Sequence, residues 1–307
     1  MGIIDTLSAG FGTTAKKLWL IILPVLLDIF LWLGPKLSIA PVIDKMVTFF
    51  REGMRFAAPT TVDASVAEMF DTTLEAFRET MGRLNWFAFL AWGRLGVPSV
   101  AGFTPIDAKT DHVIAVSEYW QLLLLQIVIM AAGLLLAALF LVILGSHARG
   151  GGVNWHTLFA KVLRAWVYMA IVFVPLGFFL LFGLSFSLLL GPLSIFAGVF
   201  FLWLLIYMTF VPQAIALGEE NPLHAVLSSF TIVRLNFWAT LGLIILVNVI
   251  STGLGLVWYR VFMRTAVGTL VAIVANAYVG TSLTLAMFIF YRDRVALWRE
   301  LLRQRSV

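Results

Sequence analysis

Asp28 is the residue with the clearest capacity for chemistry, because it is a carboxylic acid inside an otherwise apolar run. It follows Lys17 by 11 residues, which corresponds to roughly 16 Å of helix rise. Ionisable side chains inside a membrane-spanning segment are costly and commonly mark a path for protons or ions. Gln126, Asn248 and Asn276, which lie in other apolar runs, are its candidate partners. Asp28 is therefore either the titrating group of a coupled transporter or an acid that holds helices together by hydrogen bonds.

A second group of reactive side chains combines two adjacent acids, Glu219 and Glu220, with His224. Carboxylates and imidazoles are common ligands of divalent metals, and His147 and His156 are predicted to lie on the same side of the membrane. This set makes a metal-dependent hydrolase at the membrane interface an alternative. The acids, however, follow an apolar run rather than lying inside one, and none of these histidines lies within a span. The sequence accordingly predicts no catalytic residue, no metal site and no cofactor.

The composition determines which solvent surrounds these groups. Hydrophobic residues make up 61% of the 307 residues and charged residues only 12%, whereas a soluble domain carries about 25% charged residues. Lipid must therefore be the main solvent. The absence of cysteine excludes thiolate catalysis and iron–sulfur clusters. The net charge of +5 is not gathered into a basic stripe interleaved with aromatic residues, so we predict no nucleic-acid partner.

The apolar runs predict an all-α integral membrane protein with about six transmembrane helices, because a crossing needs roughly 20 apolar residues. We take 1–307 as a single membrane domain, with an uncleaved first span. The predicted spans are 17–33, 120–144, 166–190, 193–217, 237–258 and 266–291.

Basic residues beside these spans predict the orientation of the chain. If the spans alternate in direction, most of the Lys and Arg residues fall on one side, which should be cytoplasmic together with both termini. The plasma (inner) membrane is the predicted location. The predicted contacts to lipid headgroups are Lys16, Lys17, Arg149, Arg164, Arg234, Arg292, Arg294, Arg299 and Arg303.

Three polar segments lie outside the spans. Residues 34–118 form an extracytoplasmic insertion with two amphipathic helices, over Pro41–Phe56 and Val62–Met81, followed by an aromatic stretch at 85–95. The insertion either docks a partner or caps its own bundle. Residues 292–307 predict a basic interfacial tail helix.

Asn221-Pro222 is typical of a helix start, and it opens the third polar segment. The predicted apolar stripe of this helix is Leu223, Val226, Leu227, Phe230 and Val233, with His224, Ser228, Ser229, Thr231 and Arg234 facing away.

Part of this pattern resembles a known family. Four segments carry the resemblance: the run Phe210-Val211-Pro212-Gln213-Ala214-Ile215-Ala216-Leu217, then Asn221–Arg234, then the fifth span, and the closing Tyr291-Arg292-Asp293-Arg294. Together they are similar to the membrane domain beside some bacterial glycerophosphodiester phosphodiesterases. Related multi-pass proteins of unassigned activity share the pattern. The resemblance covers roughly residues 120–294. It implies a membrane fold without hydrolase chemistry, because the catalytic barrel of that family is absent from this chain.

The leading hypothesis is thus a non-enzymatic scaffold, accessory subunit or lipid-interacting bundle, with membrane lipids as partners and a protein partner or a homo-oligomer as a further possibility. The alternatives are a proton- or ion-coupled transporter or channel-like protein centred on Asp28, and the interfacial metal-dependent hydrolase.

Overall fold

The structure, a computed structural model, describes residues 2–57, 64–91, 96–100, 112–189, 191–218, 221–262 and 265–305. The helices in these ranges are α1 (Ile3–Lys16), α2 (Ile22–Leu33), α3 (Ala40–Ala57), α4 (Ala64–Arg83), α5 (Tyr119–Ala148), α6 (Trp155–Leu188), α7 (Ser194–Tyr207), α8 (Val211–Leu217), α9 (Pro222–Leu235), α10 (Phe237–Val257) and α11 (Ala266–Arg305). The strands are β1 (Lys36–Ser38) and β2 (Val113–Ala115). Short 3-10 segments cover Leu18–Ile21, Trp86–Ala91 and Gly191–Leu193, and a π-helical turn covers Trp258–Phe262.

The prediction of an all-α integral membrane protein is confirmed. Within the described residues, five helical segments are long and apolar enough to cross a membrane: Tyr119–Ala148, Trp155–Ser187, Gly191–Leu217, Phe237–Phe262 and Ala266–Leu301. The first predicted span is helical over Leu18–Leu33, which is shorter than these five and shorter than the roughly 20 residues a straight crossing needs. It begins with a 3-10 turn, and Pro24 lies in the first turn of α2.

Two helices extend well beyond the predicted spans. The predicted tail helix is a direct continuation of the last span, because α11 runs unbroken for 40 residues. No Gly or Pro follows Gly280 in α11, so nothing in the sequence interrupts the helix at the membrane edge. In the same way, α6 runs for 34 residues from an N-cap at Asn154, whose side chain accepts from the backbone N–H of His156. The opposite happens near Pro212, where α7 and α8 are separate helices within one predicted span.

The core of the bundle is formed by α5 and α11. In the most apolar stretch of each candidate span, the buried share of residues is 50% for α5 and 61% for α11. The share is 17% in each of the other three candidate spans. The less buried helices present large side chains outward, among them Phe178, Phe182 and Phe200. Outward apolar faces are what lipid requires.

The first helix, α1, packs along α11 although the apolar runs do not predict it. Gly10 is the close contact, since a Cβ atom there would meet the backbone carbonyl of Ser282 and lie 2.9 Å from the amide nitrogen of Ala286. The polar residues Thr6 and Thr14 are buried on the same helix and donate to carbonyls of their own helix at 2.8 and 3.1 Å. The resulting contact is a small-residue helix interface of the kind found in membranes.

The insertion is closed at its base by a pair of parallel strands. In β1 and β2, Lys36 pairs with Val113 and Ser38 with Ala115, and residues of both strand regions join α5 in a cluster of Leu37, Val42, Val116 and Ile129. Between the two strands in the sequence, helices α3 and α4 form over nearly the predicted ranges. The described part of the insertion therefore packs on the chain's own bundle.

The α3–α4 pair is joined by exposed ion pairs. Arg51 contacts Asp71 at 3.0 Å, and Arg78 contacts Asp44 at 2.6 Å. Hydrogen bonding to Asp71 is the main cause of a raised pKa of Arg51. Because these pairs are open to solvent, they fix the register of the two helices more than they stabilise the fold.

Helix α9 begins where predicted, at Pro222, and each of its two predicted faces is partly buried and partly exposed, with Val233 buried and His224 and Arg234 exposed. Leu223 and Leu227 are exposed, at 77% and 63%. Ser228 and Ser229 are buried against the bundle, where the Ser228 hydroxyl lies 2.6 Å from the Tyr291 hydroxyl and Ser229 Oγ donates to the Tyr207 carbonyl at 2.6 Å. In lipid, buried hydroxyls find partners inside the bundle.

Candidate functional site

The Asp28 carboxylate is fully buried in α2 and accepts two hydrogen bonds from the insertion. The hydroxyl of Ser99 donates to Oδ1, and the backbone N–H of Val100 donates to Oδ2 at 3.1 Å. Both donors come from the stretch 96–100, which we call the return segment. Each oxygen of the acid thus has a donor, as a buried carboxylate requires.

The return segment is held against the bundle by apolar packing as well. Val97 and Val100 are buried, at 0% and 1% exposure, and Val97 belongs to the main core. Pro98 lies over Gly280 of α11, where a Cβ atom would approach Pro98 Cγ to 2.8 Å. Asp28 holds the return segment through hydrogen bonds. Gly280 lets Pro98 pack closely on α11, because glycine has no side chain to fill that space.

The polar residues predicted as partners of Asp28 have other roles. Gln126 Oε1 accepts from the indole N–H of Trp86 at 2.6 Å, and Asn248 donates to the carbonyl of Ile244 in its own helix at 2.7 Å. Asn276 is buried within α11. Among the described residues, the hydrogen-bond donors to the carboxylate are Ser99 and Val100. Sequence reasoning missed them because a Pro-Ser pair in a loop carries no signal for a buried acid some 70 residues earlier.

The histidines and acids of the alternative metal site are not shown to converge. Glu219 and Glu220 lie outside the described residues. His147 is buried in an edge-on ring contact with Trp19, with ring centroids 5.3 Å apart, and its Nδ1 lies 2.9 Å from the Ile143 carbonyl. Across the part of the chain that the structure describes, no group of three or more His, Asp or Glu side chains is arranged to hold a metal ion.

A second candidate site lies where α5 and α8 end beside α11. A cavity of about 120 Å³ opens there, and we call it the arginine pocket. Its lining comprises Arg149, Ala214, Leu217, Tyr291, Arg292, Val295, Ala296 and Arg299. Three basic side chains from two parts of the chain therefore meet at one apolar cavity.

Arg292 is held in place by several hydrogen bonds. It is partly buried, its Nη1 donates to the Ala148 carbonyl at the end of α5, and its Nε and Nη2 both donate to Asp293. Arg164 has a similar role at the end of α8, where it donates to the Gly218 carbonyl at 3.1 Å. Gly218 itself has a φ of 73°, as expected for the residue that ends a helix. Two of the predicted headgroup residues thus also bind carbonyls at helix ends, where positive charge is favourable.

The other predicted headgroup residues lie near the same end of the bundle, which we call the arginine end. Lys16 is the last residue of α1 and Lys17 follows it, shortly before Trp19, whose ring contacts His147 at the end of α5. Arg234 is exposed in the last turn of α9. Arg294 lies over the ring of Phe290, 5.1 Å from its centroid. Arg303 is exposed near the end of α11.

Replacing Gly280 with valine should expose the return segment. The new Cβ would displace Pro98, and overpacking of this kind costs about 1–3 kcal/mol. The chain has no cysteine, so Val97→Cys provides the only thiol for labelling. We expect its labelling rate to rise about tenfold, since about 1.4 kcal/mol corresponds to a factor of ten. Gly253→Val is the control, because a Cβ there meets no atom within 4 Å. Equal labelling rates in both variants would contradict the packing role of Gly280.

Comparisons of the chain with protein-family models, with curated proteins and with solved structures found no match.

Proposed function

We propose that this protein is a non-enzymatic, lipid-interacting helical bundle whose arginine end binds the headgroups of anionic lipids. The observation that carries the proposal is the meeting of Arg149, Arg292 and Arg299 at one pocket beside the ends of apolar helices. Headgroups lie at the level where a membrane-spanning helix changes from apolar to charged residues, and α11 makes that change after Tyr291. Each basic residue close to an anionic surface contributes roughly 1 kcal/mol of attraction.

The same distribution supports an orientation. Basic residues of short loops favour the cytoplasmic side, so we propose that the arginine end and both termini are cytoplasmic and that the insertion faces the other side of the plasma (inner) membrane. The resemblance to the membrane domain beside glycerophosphodiester phosphodiesterases stays a prediction, and a role without hydrolase chemistry agrees with it. A scaffold or accessory role would add a protein partner or a second copy to the lipids.

Native mass spectrometry of the protein extracted with its surrounding lipids tests the proposal. From vesicles of equal phosphatidylglycerol and phosphatidylcholine, we expect retention of the anionic lipid to exceed that of the zwitterionic lipid by about fivefold or more, as roughly 1 kcal/mol per basic residue implies. The excess should fall at about 1 M salt, where the Debye length shrinks to about 3 Å.

Two further outcomes decide between the roles. Equal retention of both lipids at low salt would contradict the lipid-binding proposal. A stoichiometric protein that copurifies in place of lipid would favour the scaffold role. Arg260→Gln is a control for nonspecific charge effects, because Arg260 is exposed in the π-helical turn between α10 and α11, at the other end of those helices.

A further inference from the structure

We infer that the arginine pocket is a specific site for one phosphate group, presented by a lipid headgroup or by a free phosphate, rather than one part of a diffuse basic surface. The inference deepens the proposed function by naming the ligand class and the residues that bind it. Its separate basis is the shape and donor arrangement of the pocket.

Three chain segments converge to form this pocket. The α11 residues in its lining are Tyr291, Arg292, Val295, Ala296 and Arg299. Their spacing of one, four, five and eight residues places them on one face of the helix. Arg149 comes from the end of α5, and Ala214 and Leu217 come from α8.

The lining of the pocket is basic. Arg149, Arg292 and Arg299 carry three positive charges, and no acid is among the described residues that line the cavity, although Asp293 binds Arg292. Arg292 also donates to the carbonyl at the end of α5, and Arg164 donates to the one after α8.

Donor hydrogens are also available at the pocket. A guanidinium has five N–H hydrogens in a fixed fork that matches phosphate oxygens. The bonds of Arg292 to Ala148 and Asp293 occupy three of them within the described structure, which leaves two. Arg149 is exposed and lines the same cavity from another chain segment, the end of α5.

The size and lining of the cavity fit a phosphate joined to an apolar group. One water needs only about 10–15 Å³ of such volume, so a cavity of about 120 Å³ has room for a group several times larger. The walls other than the arginines and Tyr291 are Ala214, Leu217, Val295 and Ala296. This combination of a basic centre with apolar walls favours a phosphate ester at the membrane edge over a fully hydrated anion.

The test uses native mass spectrometry to compare lipid retention by the wild-type chain and by three single variants. All four proteins are placed in nanodiscs that contain phosphatidylglycerol. Arg149→Gln and Arg299→Gln remove pocket charges, and we expect each to lower retention about tenfold, as loss of a charge-assisted contact predicts. Arg234→Gln is the matched control, because it removes the same charge from the last turn of α9, outside the pocket lining. It should lower retention by about fivefold at most, the contribution of one basic residue near an anionic surface, and so less than the pocket variants. Thermal unfolding of each variant establishes that the fold is intact.

A second arm distinguishes the source of the phosphate. Inorganic phosphate is titrated into the same proteins in purely zwitterionic nanodiscs. If Arg149→Gln and Arg299→Gln abolish the binding of inorganic phosphate, the site is assigned to free phosphate. If these variants lower lipid retention but the wild-type protein binds no inorganic phosphate, the site is assigned to a lipid headgroup.

Two results separate failure of the pocket from failure of the proposed function. The pocket would be overturned, and the proposed function left intact, if all three variants lowered lipid retention equally and phosphate binding were absent or insensitive to them. No preference of the wild-type protein for anionic lipid would instead remove the proposed function, and the phosphate titration would still decide the pocket.

Discussion

Replacing Gly10 with alanine is expected to lower the free energy of unfolding by about 1–3 kcal/mol, the usual cost of overpacking a tight contact. Gly10 is buried where α1 crosses α11, and its missing side chain lets the two backbones approach. An added Cβ would meet the Ser282 carbonyl and the amide nitrogen of Ala286. These are backbone atoms, which cannot rotate away, so α1 itself must shift.

Gly12 of the same helix provides the matched control. A Cβ at Gly12 meets no atom within 4 Å, so Gly12→Ala should stabilise the protein by about 0.5–1 kcal/mol through helix propensity alone. Both variants are compared by reversible unfolding in mixed detergent micelles. A similar shift in both would mean that α1 does not pack closely against α11.

The membrane-spanning helices could be predicted because their signal is local. Runs such as 120–144 and 266–291 need only lipid and intrahelical hydrogen bonds to form, and the structure has helices over both. Their ends were harder to predict, since the tail residues of α11 prolong a span rather than begin a new helix. Helix termini depend on breakers, and the sequence offers none there.

Long-range contacts could not be predicted from the sequence. Strands β1 and β2 are three residues each and pair across the whole insertion, with Lys36 opposite Val113. Segments this short have no usable periodicity. The same limitation applies to Asp28, whose predicted partners lay in other helices while its actual donors, Ser99 and Val100, lie in a loop.

The buried serines of α9 have a different cause. The spacing of its leucines predicts an apolar stripe, but the spacing alone does not say which side of the helix meets the bundle. Ser228 and Ser229 form hydrogen bonds inside the bundle, while Leu223 and Leu227 point outward.

Replacing Asp28 with alanine is expected to release the return segment. The substitution removes the carboxylate that accepts from the Ser99 hydroxyl and the Val100 N–H, and loss of a buried hydrogen-bond partner costs about 1–3 kcal/mol. With Val97→Cys as the single thiol, labelling should accelerate about tenfold or more. A cysteine at Glu52, which is exposed on α3, should be labelled at the same rate in both backgrounds. Unchanged labelling at position 97 would show that the carboxylate does not hold this segment.

Asp28→Asn separates this structural role from a titrating one. Asparagine keeps the shape of the side chain, and its carbonyl oxygen can still accept from Val100 while its amide donates to the Ser99 oxygen. Labelling at position 97 should therefore rise less than about threefold, well below the effect of alanine. A transporter that depends on protonation of Asp28 would instead lose its pH-dependent flux in vesicles with asparagine as fully as with alanine. Because Asp28 accepts from two donors that both belong to the insertion, we expect the asparagine variant to remain close to wild type, which would place this acid among the groups that hold the fold together.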